Sequence, residues 1–379
     1  MINRERLIKT FCDIVQIDSP SGEEELMAQE IIARLEKMGF ATKRDAYGNV
    51  VASDGRPNPI LLSAHLDTVE PGRGIKPSVQ EARIVSDGPT ILGGDCKAGI
   101  AAMLEGLESI IEDGEERHAL ELAFTREEEI GLVGARNLDF NLITAKEAIV
   151  FDGEGPVSQI TSSSPTYIGF DMEIIGRAAH AGAEPEKGIS AIKIAAEIIT
   201  RLPQGRLDEN TTFNVGLIEG GSVRNTVAEN ATIKGEYRST SLESLDGIRL
   251  QIQEIVKEVA NLYPESSIDQ HLHTEFETYS LTEDDPATQR VSRALRSIGL
   301  VPLLKPSGGG TDGNVFRLND ISSVVVGMAD HGMHTKREYV TIPDLVDAAH
   351  LCEAVIRLSL IHISEPTRRT PISYAVFCL

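Results

Sequence analysis

The stretch ILLSAHLD at residues 60–67 is a largely apolar run that ends in a histidine and an aspartate. Its first five residues have the length and the apolar character of a strand that is buried on both faces of a parallel sheet. Two further apolar strands are predicted at 119–124 and 147–151, and the Ala- and Leu-rich segment 98–112 predicts a helix between the first two strands. Strands that alternate with helices in this way predict an α/β layer.

The same layer extends toward both ends of the chain. The first 38 residues predict two helices, which are separated by the turn-forming sequence DSPSG at 18–22. A helix near 286–298, a strand at 321–327 and a helix at 343–358 resume the α/β pattern late in the chain. The layer is therefore built from both ends of the sequence.

The middle of the chain has a different pattern. Ile168, Phe170, Met172 and Ile174 alternate with other residues, which predicts a strand with one buried face. The elements that follow have the order β-α-β-β-α-β, which is that of a ferredoxin-like unit. They are a strand at 167–176, a helix at 188–202, strands at 211–219 and 230–238, a helix at 242–262 and a strand at 267–276.

These patterns predict a small α+β domain that is inserted into a larger α/β domain. Hinge loops are expected at 162–165 and 281–286, where Ser, Thr, Pro and acidic residues replace the periodic pattern. The larger domain is then made of residues 1–165 and 278–358, and the inserted domain of residues 166–277.

Composition and charge restrict the class of protein. The 379 residues carry 36 basic and 58 acidic side chains, a net charge of −22, without a basic stretch dense enough to follow a phosphate backbone. Nucleic acid is therefore not an expected partner. Hydrophobic residues make up 41% of the chain, enough for an ordinary core, but the apolar runs are far shorter than the roughly 18 residues of a membrane span. No membrane association is expected.

The beginning of the chain, its cysteines and its last residues bear on location and processing. Residues 1–10 lack the apolar region of a secretion signal, and the four cysteines show no paired spacing. We therefore expect a cytoplasmic protein with reduced thiols. Residues 359–379 carry no helical or strand period and resemble translated adapter sequence, which predicts a non-native or disordered tail. A natural flexible tail is the alternative.

Acidic and histidine side chains follow predicted strands at five places. Loops at the carboxyl ends of parallel strands converge at one edge of a sheet, so these side chains are expected to lie together. Buried carboxylates without partners are unfavourable, and cations are the partner that such residues can share. The places are His65-Leu66-Asp67, Asp95 after Gly93-Gly94, Glu127-Glu128-Glu129, Asp152, and His334 in Gly332-Met333-His334-Thr335.

Two histidines and three carboxylates match the ligands of a site for two divalent cations, in which a carboxylate and a water bridge the ions. Such ions lower the pKa of the water and polarise a scissile carbonyl group. Of the neighbours Glu128 and Glu129, one can bind metal while the other accepts the proton of the water. Asp67 fits the carboxylate that orients a metal-bound imidazole, here that of His65; an exposed acid in a turn is the alternative.

Seven short motifs contain or flank these residues. They are HLDTV at 65–69, GGDCKAG at 93–99, EEEIGLVGA at 127–135, FDGEG at 151–155, GRAAHAG at 176–182, SGGGTDGN at 307–314 and MHTKREYV at 333–340. Together they resemble the motifs of the dinuclear zinc peptidase family that contains peptidase T, carboxypeptidase G and aminoacylase, and they are most like those of peptidase T. The resemblance covers residues 1–358 and implies a phosphorylase/hydrolase-like catalytic domain with an inserted ferredoxin-like lid that also forms a dimer contact.

The resemblance also implies a role for each residue of the site. His65 and Asp152 would bind one zinc ion, Glu129 and His334 the other, and Asp95 would bridge them. Glu128 would be the general base. His331 is a rival ligand by spacing alone, but the motif aligns on His334.

The residue after the bridging aspartate departs from the family pattern. The family often has a cis peptide bond at this point, here Asp95–Cys96, and relatives commonly carry aspartate where this chain has Cys96. The thiol is either beside the metals, where it would be sensitive to oxidation, or a small buried group that faces away from them.

The lid contributes a substrate clamp in this family. By resemblance, His180 would donate a hydrogen bond to the developing oxyanion, often from the partner subunit, and Asn225 and Arg238 would hold a substrate carboxylate. Gly309 and Gly310 would let the backbone approach the substrate.

Together with these residues, the resemblance implies a dinuclear zinc hydrolase, with Co²⁺ or Mn²⁺ as alternatives, that cleaves amide bonds of small peptides as a tripeptide aminopeptidase and forms a homodimer through its lid. A lid that closes over the site excludes folded proteins as substrates. Two other activities remain open: hydrolysis of N-acyl amino acids, and carboxypeptidase action. A catalytically silent binding protein is a third hypothesis, against which the intact Glu128 argues.

Overall fold

The structure is a computed structural model that describes residues 1–114, 116–282 and 284–358, so the predicted tail at 359–379 lies outside the described residues. The helices are α1 (Arg4–Val15), α2 (Glu25–Lys37), α3 (Gly94–Asp113), α4 (Val133–Arg136), α5 (Ala191–Arg201), α6 (Leu242–Leu262), α7 (Pro286–Ser297), α8 (Asp312–Leu318) and α9 (Ile342–Leu358). Short 3-10 turns lie at Phe140–Leu142 and Pro185–Lys187.

The strands occur in both predicted domains. They are β1 (Ala41–Arg44), β2 (Val50–Ser53), β3 (Ile60–His65), β4 (Pro77–Val79), β5 (Arg83–Ser86), β6 (Leu120–Thr125), β7 (Glu147–Gly153), β8 (Gln159–Ser164), β9 (Thr166–Ile175), β10 (Gly205–Arg206), β11 (Thr211–Gly220), β12 (Asn230–Ser239), β13 (Ser267–Phe276), β14 (Tyr279–Ser280), β15 (Leu303–Pro306), β16 (Ser322–Gly327), β17 (Asp330–His331) and β18 (Tyr339–Thr341).

The main sheet has the strand order β1-β2-β6-β3-β7-β16-β8-β14, and β15 also pairs with β8. Its central strands β6, β3, β7 and β16 run parallel, as their apolar sequences predict, and every residue of β3 is buried. Strands nearer the edges run antiparallel, so the sheet is mixed. Three of the parallel strands end at the edge where the acidic and histidine side chains were expected.

Helix α3 packs closely on this sheet because of one glycine. A Cβ atom on Gly99 would lie 2.1 Å from the carbonyl oxygen of Phe151 in β7, so a side chain at this position would force the helix away from the strand. The close packing brings the first residues of α3, including Asp95, next to the end of β7, where Asp152 lies.

The inserted segment forms a second sheet with the order β10-β11-β12-β9-β13, in which every pair is antiparallel. Helices α5 and α6 contribute side chains to its core, and the predicted β-α-β-β-α-β order is present. The alternation in β9 is reproduced: Phe170, Met172 and Ile174 are buried in this core, and Ile168 packs against it.

The prediction of a hinge loop at 162–165 is wrong for most of that segment. Ser162 to Ser164 belong to β8, and Ser164 pairs antiparallel with Tyr279 in β14. The hydroxyl of Thr278 donates to the carbonyl of Ser164 at 2.7 Å. The two chain segments that connect the domains are therefore hydrogen-bonded to each other, because strand pairing satisfies backbone groups that a loop would leave to water.

A small third sheet, β17-β18-β5-β4, was not predicted. Its strands have two to four residues each and lie in segments without a clear period. The sheet matters because it fixes the segment between residues 330 and 341, which carries His334. Within the described ranges, no helix combines the length and apolar character that crossing a bilayer would require.

Candidate metal centre

The histidines and carboxylates converge because of where their elements end or begin. His65 is the last residue of β3, Asp152 is the next-to-last residue of the neighbouring parallel strand β7, and Asp95 is the second residue of α3. Parallel strands present their carboxyl ends at one edge of the sheet, which places these side chains together.

The first donor group consists of His65, Asp95 and Asp152. The Nε2 atom of His65 lies 3.0 Å from Oδ1 of Asp95 and 3.4 Å from Oδ1 of Asp152. All three side chains are almost completely buried. One imidazole nitrogen and two carboxylate oxygens thus face a common point, which is the donor set of a divalent transition metal.

The second donor group consists of Asp95, Glu129 and His334. The Nε2 atom of His334 lies 3.1 Å from Oδ2 of Asp95 and 2.9 Å from Oε2 of Glu129. The other oxygen of Glu129, Oε1, is buried and has no hydrogen-bond partner in the described part of the chain. A buried carboxylate oxygen without a partner is costly, and a cation would satisfy it.

Asp95 is shared by the two groups, with one oxygen directed to each histidine. This is the arrangement of a carboxylate that bridges two ions. The predicted cis peptide bond between Asp95 and Cys96 is present, which confirms that implication of the resemblance. The residues present therefore fit a site for two divalent cations.

The pKa values of these groups reflect their crowding. Burial raises the pKa of Glu129 and that of Asp152 to about 7. Burial also acts to raise the pKa of Asp95, but hydrogen bonds with His334 and His65 outweigh it and hold this pKa below its usual range. The carboxylates of Asp95 and Glu129 raise the pKa of His334 to about 10. Divalent cations would relieve the repulsion between these buried carboxylates.

Glu128 belongs to neither donor group, but it lines the same cavity as Asp95, Glu129 and Asp152. Its side chain is nearly buried, and burial together with the negative charge of Asp152 raises its pKa well above the usual range. A carboxyl group with a raised pKa beside a metal site has the property that a general base requires.

Asp67 has more contacts than the sequence indicated. Its carbonyl oxygen lies 2.9 Å from Nδ1 of His65, and its Oδ1 lies 3.3 Å from the same atom. The carboxylate also accepts hydrogen bonds from the backbone N–H groups of Glu128 and Glu129, at 3.0 and 3.2 Å, and from the hydroxyl of Ser21 at 2.7 Å. Asp67 thus contacts the imidazole of one donor group and the backbone of the two adjacent glutamates.

Arg238, Gly309 and Gly310 line the same cavity, which has a volume of about 350 Å³. The guanidinium of Arg238 lies 4.4 Å from the ring centroid of Tyr167, donates to the carbonyl of Gly308 at 3.1 Å and pairs with Glu236 at 2.7 Å. The cavity is therefore lined by carboxylates and by a guanidinium.

His180 and Asn225 do not line this cavity. They lie side by side in the inserted domain, where the N–H of Ala181 donates to the carbonyl of Asn225 at 3.0 Å, and both side chains are exposed. Within one chain, the structure does not bring these two predicted residues to the donor groups, and their roles stay predictions.

Cys96 lies beside the first donor group rather than facing away from it, with its sulfur within 4.8 Å of the three ligand atoms. The thiol donates to the carbonyl of Phe151 at 2.8 Å, and burial raises its pKa well above the usual range. His331, the rival ligand, stacks on Tyr339 at a centroid distance of 4.9 Å and belongs to neither donor group of the described chain.

Glu338 is a supporting residue that sequence reasoning missed. Its buried carboxylate accepts hydrogen bonds from four consecutive backbone N–H groups, those of residues 92 to 95, at 2.6 to 3.2 Å. It therefore holds the loop that presents Asp95. Its position inside the motif at 333–340 was a signal, but its partners lie more than 240 residues away in sequence.

Asp312 is a second missed residue. It begins helix α8, is 1% exposed, and accepts a hydrogen bond from the hydroxyl of Thr125 at the end of β6. Burial raises its pKa to about 6, and its charge contributes to the raised pKa of Glu128. It belongs to the motif at 307–314, where only the glycines had been given a role.

Comparison with known proteins shows what this fold and site are similar to. Residues 163–264 match the model of the peptidase dimerisation domain, and residues 48–178 match that of peptidase family M28. A tripeptidase from Staphylococcus aureus subsp. aureus Mu50 is 32% identical with a TM-score of 0.85, and aminopeptidase PepT from Bacillus cereus ATCC 10987 is 35% identical with a TM-score of 0.81. Each alignment covers 94% of this chain and 98% of the other.

A protein related in sequence also aligns over almost the whole chain. The protein YqjE of Bacillus subtilis strain 168 is 34% identical over 94% of this chain and 99% of its own length. The predicted fold class, an α/β catalytic domain with an inserted α+β lid, is confirmed by the two structural relatives.

Together, the fold, the donor groups and these relatives define a metallopeptidase, a metal-dependent hydrolase of peptide bonds. Within that class, the chain belongs to the family of peptidase T, as its motifs indicated. The relatives support peptide hydrolysis and do not favour the deacylase, the carboxypeptidase or the silent binding protein.

Proposed function

We propose that this protein is a dinuclear zinc aminopeptidase that removes the N-terminal residue from tripeptides and other small peptides. The observation that carries the proposal is the pair of donor groups that share Asp95 and border the same cavity as Glu128. The printed activities of the relatives, a tripeptidase and an aminopeptidase, support the substrate class.

In this proposal, His65 and Asp152 would hold one zinc ion, Glu129 and His334 would hold the other, and Asp95 would contribute one oxygen to each. When bound, the ions polarise the scissile carbonyl group and lower the pKa of the attacking water. Zinc is favoured over Mn²⁺ and Co²⁺ by the general order of affinities for such ligands. The mixture of imidazole and carboxylate donors is consistent with this choice.

Glu128 takes the proton of the attacking water on its carboxylate and returns it to the amine that leaves. Asp67 supports both tasks of the site. It keeps the Nε2 atom of His65 directed to the ligand position, and it holds the backbone at Glu128 and Glu129 through two hydrogen bonds.

The lid supplies the remaining contacts. Arg238 lines the cavity and holds the carboxylate of the peptide by a charged hydrogen bond. His180 and Asn225 act on the cavity of the partner subunit in a homodimer, where His180 donates to the carbonyl oxygen that becomes negative. The match of residues 163–264 to a peptidase dimerisation domain supports this assembly.

The enzyme is proposed to act in the cytoplasm. Cys12, Cys96 and Cys352 are free thiols in the described part of the chain, as is usual in a reducing compartment.

The experiment is a metal count on the purified protein together with hydrolysis of di- and tripeptides and of N-acyl amino acids, before and after chelation. Two zinc ions per chain and release of the N-terminal residue from tripeptides, lost with the chelator and restored by zinc, would support the proposal. Cleavage of N-acyl amino acids alone, or activity that survives full removal of metal, would reject it.

A further inference from the structure

Glu154 is an acidic side chain of the cavity to which no role has been assigned. It lies two residues after Asp152, lines the cavity together with Glu128, Glu129 and Arg238, and is exposed. Within the described residues it forms neither a hydrogen bond nor an ion pair, although most acidic groups of the site are paired. An unpaired carboxylate that borders a substrate cavity is available to a ligand.

The backbone on both sides of Glu154 is fixed. The carbonyl of Gly153 accepts from the N–H of Met328 at 2.9 Å, and Gly155 both donates to the carbonyl of Asp330 at 2.7 Å and accepts from the N–H of Ala329 at 2.8 Å. These bonds tie the backbone on both sides of Glu154 to the segment after β16, so the scaffold fixes the point from which this side chain extends.

The balance of charge in the cavity indicates what kind of ligand this carboxylate can bind. The three carboxylate ligands, Asp95, Glu129 and Asp152, and the base Glu128 carry four negative charges when ionised, and two divalent cations carry four positive charges. Glu154 is a further acidic residue that lines this cavity, two residues after Asp152, and it is not needed to balance the charge of the two cations. Arg238 supplies a guanidinium to the lining of the same cavity.

A short peptide with free ends carries a group that is complementary to each of these two side chains, an ammonium group at one end and a carboxylate at the other. We propose that the Glu154 carboxylate binds the α-ammonium group of the substrate and so restricts the enzyme to peptides with a free N-terminus. This inference rests on the proposed function, because it uses the metal site and Arg238 in the roles given above. If it is correct, one side chain explains why the enzyme cleaves peptides from the N-terminal end.

The test measures binding in the Glu128→Gln protein reconstituted with zinc, so that the bound peptide is not hydrolysed. Calorimetric titration compares Ala-Ala-Ala with propanoyl-Ala-Ala, which has the same shape but lacks the amine. We expect about tenfold tighter binding of the peptide with the amine, since a charged hydrogen bond at an exposed site contributes modestly. Introducing Glu154→Gln into the Glu128→Gln protein should abolish the preference for the peptide with the amine.

A matched control is Glu81→Gln, because Glu81 is also exposed but lies in the turn between β4 and β5, outside the cavity. It should leave the preference for the amine unchanged. Zinc content and circular dichroism of the three proteins establish that each is folded and loaded. Equal binding of the two peptides, binding of neither, or a preference that survives Glu154→Gln would overturn the inference.

Hydrolysis by the wild-type protein separates this inference from the proposed function. If Ala-Ala-Ala binds through Glu154 but is not cleaved, the assignment of Glu154 stands and the proposed activity fails. If Ala-Ala-Ala is cleaved but Glu154→Gln raises neither its KM nor its dissociation constant, the activity stands and the assignment fails.

Discussion

The backbone N–H of Glu128 donates a 3.0 Å hydrogen bond to the carboxylate of Asp67. The same carboxylate lies 3.3 Å from the imidazole of His65 and accepts a hydrogen bond from the hydroxyl of Ser21 at 2.7 Å. One side chain thus links a candidate metal ligand to the backbone of the candidate base, so that a displacement of one is transmitted to the other.

Ser21→Ala should lower kcat about three- to tenfold, because Asp67 loses one charged hydrogen bond and is held less firmly. The ligands themselves are untouched, so zinc content should stay the same. Steady-state kinetics and metal analysis check this, with Ser78→Ala in the exposed strand β4 as the control. An unchanged kcat would show that Ser21 does not support Asp67.

Glu128→Gln should lower kcat by about 10²- to 10⁴-fold while both zinc ions stay bound, because an amide of the same size cannot accept the proton. The measurement is the hydrolysis rate of a tripeptide with the zinc content of the same sample. A variant with near wild-type kcat would refute the role of Glu128 as base.

Asp95→Ala should lose metal from both positions, since each donor group contains one oxygen of Asp95. His334→Ala should affect chiefly the second position, because His65 and Asp152 stay in place. Metal analysis after dialysis distinguishes the two variants. Asp87→Ala, at an exposed position, is the control. Retention of two ions by Asp95→Ala would contradict the shared bridge.

Glu338→Gln should lower the free energy of unfolding by about 2–3 kcal/mol. The amide NH₂ group would replace a carboxylate oxygen that accepts hydrogen bonds from backbone N–H groups, and it cannot accept them. Zinc affinity should fall as well, because the loop that carries Asp95 loosens. Urea denaturation of the metal-free protein measures the first effect and zinc titration the second. If Glu338→Gln were as stable as Glu81→Gln, the proposed supporting role of Glu338 would be wrong.

Zinc affinity should fall as the pH falls from 8 to 6. The pKa of Glu129 and that of Asp152 are each about 7, chiefly because of burial, so below that pH the metal-free protein holds protons that a cation must displace. His334, with a pKa of about 10, holds a proton across this range and must release it too. Calorimetry in buffers of different ionisation enthalpy should show release of at least about one proton per chain. Binding without proton release would contradict these directions.

Much of the fold could be predicted because its signals are local. The apolar runs of β3, β6 and β7 and the alternation in β9 depend on neighbouring residues, and the order of elements then predicted the inserted domain. The five acidic and histidine places were found by the same reasoning, since each follows a strand or begins a helix.

The supporting contacts could not be predicted because they join residues that are distant in sequence. The four backbone groups that donate to Glu338 lie at residues 92–95, and the hydroxyl that donates to Asp67 belongs to Ser21. The pairing of β8 with β14 turned a predicted loop into a strand for the same reason. A single sequence carries no local pattern for such partners.

Of the residues in the two donor groups, His334 alone follows the inserted domain in the described sequence, whereas His65, Asp95, Glu129 and Asp152 precede it. A ribosome has already made His65, Asp95 and Asp152 when it begins the inserted domain, whereas His334 and Glu338 emerge only after that domain is complete. The second donor group, and the hydrogen bonds of Glu338 to the loop that carries Asp95, are therefore completed last. A chain that stops within the inserted domain would therefore carry the first donor group but not the second.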